Sequence, residues 1–141
     1  MIRKRVTCAV IIKAGRVLLA RRAPGQKNAG LWEFPGGKVE AGETDEACLE
    51  REILEEFGVR GKACAHICDS AYTYNEFGMQ ILLCAYVFVP ESDAFELRVH
   101  DEVRYFAPQE LADISLSPAD VPIAEAVGRL ITAARSSCAA Q

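Results

Sequence analysis

Between Gly36 and Val59 the chain reads GGKVEAGETDEACLEREILEEFGV: two adjacent glycines, then seven glutamates and Asp45, with Arg51 the one cation after Lys38. Few segments constrain a fold as much. Thr44 has the chemistry of a helix N-cap and Gly58 that of a left-handed C-terminal stop, so a helix is predicted from about Thr44 to Phe57. At the helical period, Leu49, Ile53, Phe57, Leu54 and Ala47 share one arc, while Glu52, Glu55 and Glu56 share the opposite one. Like charges three and four residues apart cost a helix about 0.2–0.5 kcal/mol per pair. Such a face is either freely solvated or neutralised by a cation. Gly36 and Gly37 are expected to form a tight turn in front of it. Three carboxylates beside a backbone carbonyl of that turn suit a hard, oxygen-seeking ion such as Mg²⁺ or Mn²⁺.

The flanking chain supplies strands. VTCAVIIKAGRVLLARR reads as two strands around a turn at Lys13–Gly15, and residues 23–30, APGQKNAG, as a loop. LWEF is a short apolar piece that ends at Pro35. VRGKACAHICDSAYTY, MQILLCAYVFV and EVRYFA read as further strands, with a polar connection over residues 90–100. PQELADI is a short helical turn, and DVPIAEAVGRLITAA a helix with Pro122 in its first turn. Strand-rich halves interrupted by one helix and closed by another imply a mixed α/β sandwich in a single domain spanning residues 1–141.

Charge and cysteine content narrow the function. A net charge of −4 and a pI near 5.2 argue against a broad nucleic-acid surface. A phosphorylated small molecule remains within reach, given local arginines or a metal. The six cysteines (Cys8, Cys48, Cys64, Cys68, Cys84 and Cys138) have irregular spacing and form no CxxC pair, so they read as small buried hydrophobes in a reducing cytoplasm rather than a zinc site. No stretch approaches the ~18 apolar residues of a membrane span.

With Gly37, five residues, Glu43, seven residues and then REILEEFGV, the segment resembles the Nudix box, Gx5Ex7REUxEExGU with U aliphatic. Gly37, Glu43, Arg51, Glu52, Ile53, Glu55, Glu56, Gly58 and Val59 all match, so the box spans 37–59. GLWEFPGGKVEAGE resembles the MutT branch, and LSPADVPIAEA is similar to its CTP pyrophosphohydrolase members. The resemblance implies an α/β/α sandwich and a metal-dependent enzyme that cleaves a nucleoside triphosphate, normal or oxidised, to the monophosphate and pyrophosphate. A Nudix hydrolase of another nucleoside diphosphate derivative and an inactive nucleotide sensor are the alternatives.

The same resemblance assigns residues. Glu52 is the expected general base and a metal neighbour. Glu55, Glu56, the Gly36 carbonyl and, from a later strand, Glu102 are the expected metal ligands. Arg51 and Glu43 form an ion pair that orients loop and helix. Arg22, with Arg21 on the other face of the same strand, is expected to meet phosphate. Asp120 is either a helix N-cap or, read as an ionised acceptor, a contact to the base. Phe34 and Trp32 offer the base an apolar wall or fill the core. The expected partner is a small nucleotide, without nucleic acid or membrane, bound by a cytoplasmic monomer or weak homodimer.

Overall fold

The computed structural model describes residues 1–139, with side chains through Ser136; the side chain of Cys138 lies outside the described residues. β1 (Ile2–Val10) begins the first sheet and β2 (Ile12–Lys13) the second, so the chain changes sheets at Ile11. A turn at Ala14 and Gly15, both with positive φ, reverses it into β3 (Arg16–Arg22). β4 (Trp32–Glu33) and β5 (Gly36–Lys38) follow the loop, then α1 (Asp45–Phe57), β6 (Gly61–Tyr74), β7 (Met79–Pro90), β8 (His100–Phe106) and α2 (Val121–Ala139).

The first sheet has the order β5-β1-β7-β6, with β1 and β7 parallel and the other pairs antiparallel. In the second, β3 is the hub: β8 pairs one side, and β2 and β4 pair it in succession. Alternation along the strands builds two cores. Cys8, Val10, Val17 and Leu19 pack towards α2 with Ile123 and Val127. Their neighbours Ala9, Ile11, Leu18 and Ala20 pack towards α1 with Leu49, Ile53 and Phe57. The result is an α/β/α sandwich, as expected. No helix among the described residues is long and apolar enough to cross a membrane.

Two local expectations are corrected. Gly36 and Gly37 are not a turn but a short edge strand, paired with β1 through Cys8↔Gly36 and Thr7↔Gly37. Glycine is required there by close approach. A β-carbon on Gly36 would stand 1.9 Å from the Thr7 carbonyl oxygen, and one on Gly37 would stand 2.2 Å from the Glu52 carboxyl carbon. The inner face of α1 also includes Cys48, which is fully buried with its Sγ 3.2 Å from Thr7 Oγ1, whereas Ala47 is exposed.

Candidate active site

α1 begins as its sequence dictates. Thr44 Oγ1 accepts from the Ala47 N–H at 3.1 Å, and Gly58, in the left-handed conformation, donates back to the Leu54 carbonyl. This capped helix carries Arg51 into the centre of a carboxylate cluster. The guanidinium donates Nε to Glu43 Oε2 at 2.7 Å and Nη2 to Glu43 Oε1 at 2.9 Å. Its Nη1 reaches Glu52 Oε1 at 2.9 Å and Glu55 Oε2 at 3.1 Å. The two-pronged bond to Arg51, helped by the Glu40 N–H, holds the Glu43 carboxyl down to about 2. Glu43 and Arg51 thus fasten the loop before the helix to the helix itself.

The acidic arc behaves differently. Burial raises the Glu52 carboxyl above its ordinary range, against the pull of Arg51. Glu56 is pushed up to about 7, first by burial and then by the charges of Glu52 and Glu33. These are carboxylates short of positive charge. The donor set is all hard oxygen and fits Mg²⁺ or Mn²⁺. Among the described residues no three such side chains converge at metal-holding distance, because Arg51 draws Glu52 and Glu55 to itself. Gly36 belongs to the same edge. The Pro35 carbonyl accepts from Ala9 N–H, and Val39 N–H donates to Arg5, so the intervening Gly36 carbonyl points away from β1, where no further strand lies.

Strand β5 also lines a cleft of about 230 Å³, formed by Gly36, Gly37 and Lys38 together with Arg22, Glu33, Phe34, Tyr74 and Asp120. A larger, mostly apolar groove between α2 and residues 108–116 lies away from the acidic residues. Asp120 is the buried carboxyl of the cleft, 6% exposed, and its Oδ2 accepts the Phe34 N–H at 2.8 Å. Desolvation, with the charge of Glu33, pushes its carboxyl up to about 8. This favours the neutral acid, which donates as well as accepts, over the ionised acceptor expected from the sequence. Its observed bond ties α2 to the β4–β5 connection rather than capping α2.

The NUDIX domain model matches residues 1–127. This chain belongs to the NUDIX family. It is 33% identical over 121 residues to the CTP pyrophosphohydrolase of Escherichia coli K12, covering 86% of this chain and 88% of that one. It is 53% identical over 45 residues to an 8-oxo-dGTP diphosphatase of Haemophilus influenzae, about a third of each chain. The solution structure of the E. coli ORF135 protein superposes with a TM-score of 0.80 at 32% identity, covering 94% of both chains. The MutT protein of Methanosarcina mazei shares the fold, with a TM-score of 0.78 at 21% identity over 91% of this chain and 92% of that one. The chain is a Nudix hydrolase.

Within this NUDIX domain the structure brings Glu43 of the preceding loop together with Arg51, Glu52, Glu55 and Glu56 of α1, beside the strand that holds Gly36 and Gly37. It brings Arg22, Phe34 and Asp120 together in the cleft. Two expected participants stand apart. Arg21 leaves the sheet on the face opposite Arg22, where it bonds Asp101 at 2.8 Å and lies 5.6 Å from the Trp32 ring. Glu102 shares that face, held by Arg104 at 2.5 Å and Arg21 at 3.5 Å. Strand alternation turns both away from α1, since Val103 packs towards α1 and its neighbours Glu102 and Arg104 do not. Trp32 is core, 7% exposed and edge-on to Phe106. The sequence reading missed Glu33, Lys38 and Tyr74 in the cleft. Glu33 alternates with the apolar Trp32 and Phe34, the one signal that would have placed it on a separate face.

Proposed function

We propose that this Nudix hydrolase is a metal-dependent nucleoside triphosphate pyrophosphohydrolase acting on cytosine or oxidised-guanine nucleotides, with the monophosphate and pyrophosphate as products. The observation that carries the reading is the place of β5. One narrow strand, glycine at two positions, has the Glu52 carboxylate against it and also lines the cleft of Arg22, Phe34 and Asp120. A nucleotide seated in that cleft lays its phosphates past the acidic face. The relatives named for CTP and for 8-oxo-dGTP hydrolysis support the substrate class.

In this reading Glu52, Glu55, Glu56 and the Gly36 carbonyl hold Mg²⁺ or Mn²⁺, which when bound supplies charge neutralisation and Lewis-acid polarisation. Glu52 takes a proton from the attacking water, and its burial makes it the stronger base for that task. Arg51, anchored by Glu43, keeps Glu52 oriented through Nη1. The water oxygen bonds to phosphorus, the phosphoanhydride P–O bond breaks, and pyrophosphate leaves. Arg22 receives a phosphate oxygen. Phe34 and Asp120 receive the base, with Asp120 as a neutral acid that suits more than one base edge. The substrate is a small nucleotide and not nucleic acid; the enzyme works in the cytoplasm as a monomer or weak homodimer.

A panel of CTP, dCTP, 5-methyl-dCTP and 8-oxo-dGTP with millimolar Mg²⁺, read for pyrophosphate against phosphate, tests this. Pyrophosphate and monophosphate in equal amounts are expected. Inorganic phosphate as the product, or cleavage of ADP-ribose alone, would overturn it.

A further inference from the structure

A buried histidine stands behind the cleft and has no part in the proposed chemistry. The His100 side chain is fully buried, stacked on Phe57 of α1 with ring centroids 5.2 Å apart and planes 17° apart. Its Nε2 lies 2.9 Å from Glu33 Oε2. A carboxylate can only accept, so Nε2 carries the proton and donates. Its Nδ1 is buried without a partner. The same oxygen, Glu33 Oε2, forms an ion pair with Arg22, 3.1 Å from a buried Nε whose N–H makes no hydrogen bond, so charge rather than a directed bond links them. One carboxylate oxygen is thus shared between a core imidazole and a guanidinium at the cleft wall.

The sheet explains how three separate segments converge. On β3, Ala20 and Arg22 point to the α1 face; Ala20 is paired with Glu33 of β4 and Arg22 with His100 of β8. Ala20 is small and fully buried, which lets His100 and Glu33 meet over it. Regular alternation back from Val103 would put Asp101 inside and His100 outside. The register shifts instead between Arg21↔Glu102 and Arg22↔His100, leaving Asp101 as the extra residue of a bulge. Asp101 is thereby turned out to Arg21, and His100 is turned in. Glu56 of α1 lies close enough to Glu33 and Arg22 for its carboxyl to feel both.

We propose that His100 is a positioning residue for the substrate cleft: from the core it fixes Glu33, and through Glu33 it holds Arg22 at the wall of the cleft. The inference rests on the reading of Arg22 as a phosphate contact. A carboxylate tethered from one side by a rigid, stacked ring cannot swing to solvent, so its charge stays beside Arg22 and keeps the guanidinium at that wall. The role is in binding, and its loss shows in KM more than in kcat.

His100→Phe keeps the volume and the stacking on Phe57 but removes the donor. His100→Gln keeps a donor near the Nε2 position. With the triphosphate that wild type turns over fastest, H100F is expected to raise KM about 10-fold with kcat changed by less than about 3-fold, and H100Q to stay within about 3-fold of wild type in both. In the R22A background H100F adds nothing further, because the two act in series. Thermal melts confirm that each variant is folded at the assay temperature. If H100F does not fold, H100N replaces it, since its amide ends near the Nδ1 position and falls short of Glu33. Wild-type KM in folded H100F or H100N, or a full additive loss on top of R22A, overturns the proposal. Wild-type KM in R22A itself would instead sink the phosphate-contact reading, which separates the two failures.

Discussion

The acidic face of α1 is built by neighbours in sequence, whereas the cleft beside β5 is closed by contacts between distant residues, such as the Phe34–Asp120 bond across 86 positions. On α1, Glu43, Arg51, Glu52, Glu55 and Glu56 are placed by one loop and one helical period, and Arg51 binds three of the four carboxylates. In the cleft, Arg22 comes from the end of β3, Glu33 from β4 and Asp120 from the residue before α2, with His100 of β8 buried behind them. The first region concentrates like charge that one arginine only partly offsets, which suits charge stabilisation during reaction. The second buries a few polar groups among apolar walls, which suits discrimination between substrates. The contrast implies a division of labour: α1 sets the rate for any accepted nucleotide, and the cleft sets which nucleotide is accepted.

The largest effect is expected on the rate side. Glu52→Gln keeps the shape but removes the proton acceptor, and turnover should fall by at least ~10² while the thermal melt stays near wild type. Turnover within a few-fold of wild type would remove Glu52 as the base and break the comparison at its first half. The strand between the regions gives the next effect. Gly36→Ala drives a methyl into a backbone carbonyl that cannot swing aside, so urea melts should show about 3 kcal/mol of destabilisation. Gly37→Ala meets only the end of the Glu52 side chain, which can move. It should cost less than about 1 kcal/mol in stability yet lower turnover by displacing Glu52. Equal destabilisation by the two would show that β5 serves the sheet alone.

Cation binding sharpens the same contrast. Saturating Mg²⁺ at about 100 times its dissociation constant should stabilise wild type by about 2.7 kcal/mol. The Glu55→Gln/Glu56→Gln double variant should lose that response, and Asp120→Asn should keep it. A full Mg²⁺ response in the double variant would place the cation elsewhere.

The last effect belongs to Asp120 and pH. Its folded carboxyl is raised to about 8, against an ordinary value near 4. The unfolded chain loses this proton first, so the contribution of Asp120 to stability is fully present below pH 4 and is lost as pH rises towards 8. The side-chain amide of the D120N variant does not titrate, and it still offers an oxygen to the Phe34 N–H. The stability of D120N relative to wild type should therefore rise between pH 4 and 8 and level off above. A flat difference across that window would mean that the Asp120 carboxyl is ionised throughout.

Legibility in the sequence follows the same line. The helix, its Thr44 and Gly58 caps, the Glu43–Arg51 pairing and the strand pattern depend on spacing of a few residues, and they could be read. Glu102 and Arg21 could not be placed, because strand alternation gives two faces without saying which faces α1. His100 was invisible for a stronger reason: a bulge at Asp101 reverses the alternation that a reader would extrapolate from Val103. Gly36 and Gly37 were recognised as obligatory but for the wrong cause. Glycine marks either a positive φ or a close approach, and only the packed structure reveals Thr7 and Glu52 against them. The state of Asp120 depends on its burial, which no local pattern encodes.

The division of labour is tested most directly by kcat/KM for CTP and for 8-oxo-dGTP, measured in parallel on wild type, E52Q and D120N. The expected result is that E52Q lowers both values by the same factor and leaves their ratio unchanged. D120N should shift the ratio by ~10-fold at a pH above 8, where the wild-type carboxylate only accepts while the amide also donates. A ratio that moves in E52Q, or one that stays fixed in D120N, would contradict the separation of rate from selection across β5.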